Sequence, residues 1–400
     1  MVGHGAADKP DAENPFGDPA FPFSNPPYAA RAYSYVSVAQ YDALKAAWFY
    51  KFQYNRPSPY KVDSSVESLM PKSDLPAYPS EDAVLSGATA EMLKVLFPGA
   101  LEEITLHAAD QRNAALWSGK ATASDISTGL ALGKAVAAII LAPGTGRFRT
   151  DGMGSAVGNQ AQWDALAKAA TDRGEIPWIS RETPVRPPML PNFGKVRAWN
   201  MTTAQITAER PLPPPPTLSA EMTTEVEEVK FYADNLTREQ LAIVHKWADG
   251  AGTYTPPGHW NDIAAEYITQ ASFSEVRAAR AFALLNMAIH DAGVACWETK
   301  YFYFNPRPSQ LDNSIRTGTG IPNFPAYTSG HSTFSASAAT VLSYLFPSGA
   351  GEFNEAATEA SLSRLYGAIH YRSDCEKGLA HGKKIGGYTI TFAANDGAGN

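Results

Sequence analysis

Three stretches in the first half of the chain return in the second half at one displacement, 249 residues. Residues 75–98 and 324–347 share ten of 24 positions, among them Pro76/Pro325, Ala77/Ala326, Tyr78/Tyr327, Ser80/Ser329 and the run Leu96-Phe97-Pro98/Leu345-Phe346-Pro347. Residues 41–51 and 290–300 keep Asp42/Asp291, Trp48/Trp297 and Lys51/Lys300, and residues 124–134 and 373–383 share seven of 11. The Arg56-Pro57 pair matches Arg307-Pro308 only with a local two-residue shift. Collinear blocks at one offset read as an internal duplication, so the fold must accommodate two copies of one unit.

Each copy reads as helices. The alanine-rich segments 86–96, 129–141, 276–296 and 332–345 lack internal proline and space their apolar residues by three and four. Alternating strand-like runs are nearly absent. The expected fold is all-α, two related helical bundles with long irregular connections. Gly129 and Gly133, and Gly378, Gly382 and Gly386, recur every four residues. On a helix that spacing lets two backbones approach closely, at a cost of about 1 kcal/mol per glycine relative to alanine.

The boundaries expected from composition are an irregular N-terminal arm at 1–34, a first helical repeat at 35–142, a Pro/Gly-rich connection at 143–220 and a second repeat at 221–400. So long a connection reads as functional or as a cover over a site. Hydrophobic residues make up 44% of the 400 and charged residues 18%, which suits a large packed core. The net charge of -7 opposes binding to nucleic acid or acidic membranes. The apolar stretch 281–297 contains Asn286, His290 and Asp291 and falls short of the ~20 apolar residues a span needs. Two cysteines, Cys296 and Cys375, exclude a disulfide framework and a cysteine-rich zinc module, and are read as buried thiols in preference to a single disulfide.

Chemistry concentrates in the second copy. Lys300 is followed by Arg307-Pro308, then Thr328-Ser329-Gly330-His331, then Ser363-Arg364, His370 and Asp374. A tetrahedral oxyanion with two or three charges needs compensation, and Lys300, Arg307 and Arg364 supply it, arginine as a forked donor and lysine as a point charge. Ser329 and Gly330 precede an alanine-rich segment, where a serine cap and an approachable glycine N–H suit an anion at a helix N-terminus. Asp374, four residues after His370, can reach its imidazole along a helix and fix the tautomer, leaving the other nitrogen free to bond the central atom. His331 is then placed for proton transfer.

In order and spacing these residues resemble the signature shared by type 2 phosphatidic acid phosphatases (PAP2), bacterial class A acid phosphatases and vanadium-dependent haloperoxidases, most strongly over 286–387. Length and two-bundle organisation resemble the haloperoxidase branch. The resemblance implies His370 as the vanadate ligand or phosphate-accepting nucleophile, and His331 as general acid/base. It places Lys300, Arg307, Ser329, Gly330 and Arg364 around the oxygens. Vanadate is the implied cofactor, with phosphate able to occupy the same site. Trp297 and Phe324 match positions that line a halide pocket in chloroperoxidase-like members and read equally well as core aromatics. Thr328 departs from the usual proline. The activity implied first is halide oxidation by hydrogen peroxide. The alternative is phosphomonoester hydrolysis through a phosphohistidine, and Ser373 in His370-Tyr371-Arg372-Ser373-Asp374 is more typical of the phosphatases.

Other candidates read as structural. His290-Asp291 and His381 are expected in the core, and Arg147 and Arg149 on the loop surface. His259-Trp260 resembles a segment common in bacterial haloperoxidase-like proteins and is expected to border the pocket. The expected partners are small molecules, with room for a homo-oligomer. No leader is visible, and the composition resembles that of exported bacterial proteins, so a periplasmic or secreted location is the expectation. In the first copy Glu81 and Asp82 replace Gly330 and His331, while Ala115 and Ala121 replace Arg364 and His370. Carboxylates at a helix N-terminus repel an incoming oxyanion, so the site is expected to be single.

Overall fold

The computed structural model describes residues 25–183, 185, 187–250 and 253–398, and the described residues form helices and loops without strands. The first group of helices is α1 (Pro26–Tyr54), α2 (Pro59–Val62), α3 (Glu81–Leu96), α4 (Leu101–Trp117) and α5 (Ala123–Leu141). The second is α12 (Glu275–Tyr303), α13 (Pro308–Leu311), α14 (Gly330–Leu345), α15 (Ala350–Tyr366) and α16 (Arg372–Ala393). The first four of each group begin and end 249 residues apart, and α5 and α16 begin 249 apart. Between them lie α6 (Arg147–Thr150), α7 (Gln160–Asp172), α8 (Thr203–Ala208), α9 (Ala220–Asn235), α10 (Arg238–Lys246) and α11 (Thr255–Gln270).

These elements set the loop register differently from the Arg-Pro pairs. Ser58 caps α2 where Arg307 caps α13. The N–H of Ala77 bonds the Arg56 carbonyl, as that of Ala326 bonds Asn305. Asn305 therefore stands where Arg56 does, and no two-residue shift exists. Two other boundaries differ. α1 starts at Pro26, inside the stretch expected to be irregular, because the Asn25 side chain caps the Tyr28 N–H and two prolines open the helix, where missing N–H groups cost nothing. The rest of that arm, residues 1–24, lies outside the described residues. The connection at 143–220 holds three helices, and α7 and α8 each start with a capping box, Asn159/Gln162 and Thr202/Gln205.

α12 is buried on all sides from Ala279 to Lys300 except at Phe282 and Glu298, as a central helix should be. It packs against α1, α14 and α16, and so joins the two bundles. The glycines act as their spacing suggests. A Cβ on Gly382 would lie 2.2 Å from the Thr333 carbonyl oxygen of α14, and one on Gly133 would lie 2.1 Å from that of Val84 in α3. α5 is long and apolar enough to cross a membrane by length and composition, a property expected of no segment, although only 22% of that window is buried.

Candidate active site

Every predicted oxyanion residue lies at a helix end. Lys300 is in the last turn of α12, which terminates at Phe304 in the left-handed conformation. Arg307 caps α13, and Ser329 caps α14 by accepting the Ser332 N–H at 3.3 Å, leaving Gly330 as the first helical residue. Arg364 lies in the last turn of α15. His370 precedes α16 and is not on a helix, and Asp374 sits in the first turn of α16, bonding both the Tyr371 N–H (3.2 Å) and the imidazole. The His370–Asp374 contact is thus a helix-capping geometry and not a helical side-chain pair. The Ser329 N–H bonds the Asp374 carbonyl at 3.0 Å and ties the starts of α14 and α16 together.

Backbone carbonyls hold the three cations. Lys300 Nζ donates to Pro325 (2.9 Å) and Ala326 (2.7 Å). Arg307 donates to Phe324 from Nε (3.1 Å) and Nη2 (3.0 Å), and to Ile369 from Nη1 (2.8 Å). Arg364 Nη1 donates to the Trp247 carbonyl at 3.4 Å, while its buried Nε has no hydrogen-bond partner among the described residues. Lys300 and Arg307 lie 5.0 and 5.1 Å from the centre of the Phe324 ring.

The partners decide both histidine tautomers. Guanidinium only donates, so His370 Nε2, 2.9 Å from Arg307 Nη1, must carry its lone pair, and Nδ1 carries the proton donated to Asp374 Oδ2 at 2.7 Å. A carbonyl only accepts, so His331 Nε2, 2.9 Å from the Trp247 oxygen, carries a proton. Burial, reinforced by Arg307 and Lys300, holds His370 well below the usual histidine range, and burial with Arg364 does the same to His331. Both rings are therefore neutral near pH 7. Burial pushes the Lys300 ammonium down and the Asp374 carboxyl up, each opposed by the other's charge. It lowers Arg307 to about 9 and Arg364 to about 10.

Trp297 is fully buried behind Phe324, with ring centres 4.9 Å apart, and its Nε1 donates to Met189 at 3.1 Å. Met189 belongs to the long connection, which lies over this end of α12: Trp178 N–H bonds Phe304 O (2.9 Å) and Asn323 Nδ2 bonds Pro187 O (2.8 Å). His290 and Asp291 are buried, and Asp291 accepts the Trp199 and Asn200 N–H groups. His381 is buried in α16 and both cysteines are free and buried. Arg147 is held by the Ala198 carbonyl and the Trp199 ring, and its expected loop-surface place is only half right because its Nε is buried. Sequence reasoning missed Trp247, whose contribution is a main-chain oxygen and leaves no side-chain signature, and Asp249.

At the matching place in the first group, Lys51 bonds the Pro76 carbonyl and lies 3.7 Å from Glu81. Lys120 pairs with Asp82 (2.9 Å) and Arg56 with Asp125 (3.1 Å). Carboxylates occupy those cations.

Residues 280–396 match the PAP2 superfamily model. That PAP2 segment contains every residue of the cation cage described above. No curated protein matches the chain in sequence. Among solved structures, a bacterial vanadium-dependent iodoperoxidase is similar at 23% identity and TM-score 0.67, covering 92% of this chain and 91% of its own. The holo form of a bacterial vanadium-dependent chloroperoxidase is similar at 12% identity and TM-score 0.62, covering 96% of each chain. Its apo form gives 13% and 0.64, covering 91% and 93%. The chain has the all-helical chloroperoxidase fold, with the PAP2 segment in its second half.

Proposed function

We propose that the protein is a vanadate-dependent haloperoxidase that oxidises halide with hydrogen peroxide. The observation that carries this reading is the unprotonated Nε2 of His370, facing buried Arg307 within a cage of three cations. The donor set fits a tetrahedral oxyanion: forked guanidiniums, an ammonium held by two carbonyls, the N-terminus of α14 and an Arg364 Nε unpartnered among the described residues.

Vanadate, when bound, supplies a Lewis-acid centre that activates hydrogen peroxide toward halide without changing oxidation state. His370 would hold it through Nε2, while Asp374 keeps the ring proton on Nδ1. Lys300, Arg307 and Arg364 would compensate the oxygens, and the Gly330 amide would add a donor. His331 moves protons through Nδ1, its Nε2–H being committed to Trp247. Phe324 and Trp297 form an apolar wall beside the cations and limit water there. The whole-chain likeness to haloperoxidases favours this reading by analogy of fold.

A second reading, phosphomonoester hydrolysis through His370, is favoured by the PAP2 match over all the cage residues. One assay series separates them: protein with vanadate, peroxide and bromide or iodide, beside protein with a phosphomonoester and no vanadate. Halide oxidation is expected. Its absence after vanadate loading, with rapid phosphate release, overturns the first reading. His370→Ala is expected to lower either turnover by on the order of 10³-fold or more, and retained turnover would refute the site.

A further inference from the structure

Outside the cage stands a histidine the chemistry above leaves unused. His259 lies in the second turn of α11, buried, with Nδ1 3.2 Å from both carboxylate oxygens of Asp249. Its ring is stacked between Trp247 (4.2 Å, 21°) and Tyr254 (5.2 Å, 19°). Trp247 is itself buried, and its indole Nε1 donates to Glu359 at 2.7 Å. The carbonyl of this same residue takes the Nε2–H of His331 and the Nη1–H of Arg364.

The contacts form one chain, from Asp249 through His259 and Trp247 to His331. We propose that His259, locked by Asp249, is a positioning residue: it clamps the Trp247 ring so that the Trp247 carbonyl keeps His331 in the Nε2–H tautomer. Nδ1 of His331 has no hydrogen-bond partner among the described residues, so this tautomer presents a lone pair for proton transfer. Freed from the carbonyl, a neutral imidazole distributes its proton between both nitrogens, and the fraction carrying it on Nδ1 points a hydrogen where an acceptor is needed. A stacked aromatic pair suits the clamp because it fixes the plane of a buried ring without placing a charge beside the cage. The titratable groups facing this chain are Asp249 and Tyr254 on the His259 side, Lys246 over the Trp247 ring, Glu359 and Arg364 on α15, and Lys300 and His370 across the cage.

The inference rests on His331 as the proton-transfer group, which both proposed reactions share. Its primary test therefore reads the tautomer directly, in the full-length chain without vanadate. Long-range ¹H–¹⁵N spectra of histidine-labelled protein, with His331 assigned by its loss in His331→Gln, are expected to show the Nε2–H form. His259→Leu, which fills the space without a π face, is expected to give a tautomer mixture. It should also lower kcat about tenfold, as a misplaced proton-transfer group does, and shift the pH profile of kcat with KM for peroxide unchanged. His259→Phe restores the stack and is expected to return both spectrum and pH profile toward wild type. A wild-type His331 spectrum and pH profile in folded His259→Leu overturns the proposal. If no turnover of either kind is found, the spectra still decide it. Should His259→Leu lose its helical circular dichroism, Trp247→Leu read by the same spectra takes its place.

Discussion

His370 and His331 sit in one cage and are held in opposite tautomers, each dictated by a partner with no choice of role. Asp374 completes the first assignment, because its carboxylate accepts the Nδ1 proton at 2.7 Å. Asp374→Asn keeps an oxygen but loses the charge, and is expected to cut kcat by on the order of 10²-fold, with folding unchanged by circular dichroism. A second consequence of buried neutral histidines is pH-dependent stability. Burial holds His370 and His331 well below their usual range and His381 at about 4, the last with neither ring nitrogen bonded among the described residues. Unfolded histidines protonate near 6.5. Between that pH and the folded value these histidines bind more protons in the unfolded chain, so their contribution to stability is whole above about pH 6.5 and falls as pH drops below it. Thermal melts from pH 7 to 4 are expected to show a declining Tm, and His381→Leu a shallower decline by up to about 1.4 kcal/mol per pH unit. At this scale Lys300, Arg307, Arg364, His331 and His370 were legible because each has a charged or imidazole side chain at motif spacing. Trp247 was not, since a carbonyl is chemically the same in every residue.

Among the elements, the glycines at every fourth position decide how closely α16 approaches α14. A methyl group at 382 meets backbone and not a movable side chain, so no rotamer relieves it. Gly382→Ala is expected to destabilise by about 3 kcal/mol in urea titration. Gly387→Ala, with nothing within 4 Å of the added Cβ, is expected to be neutral or stabilising by up to about 1 kcal/mol. Equal effects at the two sites would contradict close backbone contact. Helix type was legible throughout because apolar spacing and missing prolines are local signals. The start of α1 was not, because its opening Pro26-Pro27 reads as irregular until the Asn25 cap is seen. Arg56 misled for a related reason: an Arg-Pro pair looks alike in either register, and only the paired Ala77–Arg56 and Ala326–Asn305 hydrogen bonds fix it.

For the whole molecule, two groups of helices with matching boundaries differ in charge at one place. The first pairs Lys51 and Lys120 with Glu81 and Asp82, and Arg56 with Asp125, while the second sets Lys300, Arg307 and Arg364 about His370, whose own partner is Asp374. Equilibrium dialysis is expected to find one vanadate per chain, and two would contradict the electrostatic difference. The contrast between the two groups was legible from the sequence, whereas the packing of Trp178, Met189 and Pro211 over the end of α12 was not, because turn-rich composition carries no address. The carbonyl tethers have a final consequence. Lys300, Arg307 and Arg364 are each anchored by main-chain carbonyls, so the cage is expected to select by shape as well as by charge. Flat anions such as nitrate or acetate are expected to compete with vanadate less well than tetrahedral phosphate does. The backbone of four helix ends would thereby act as a mould as well as a counter-charge.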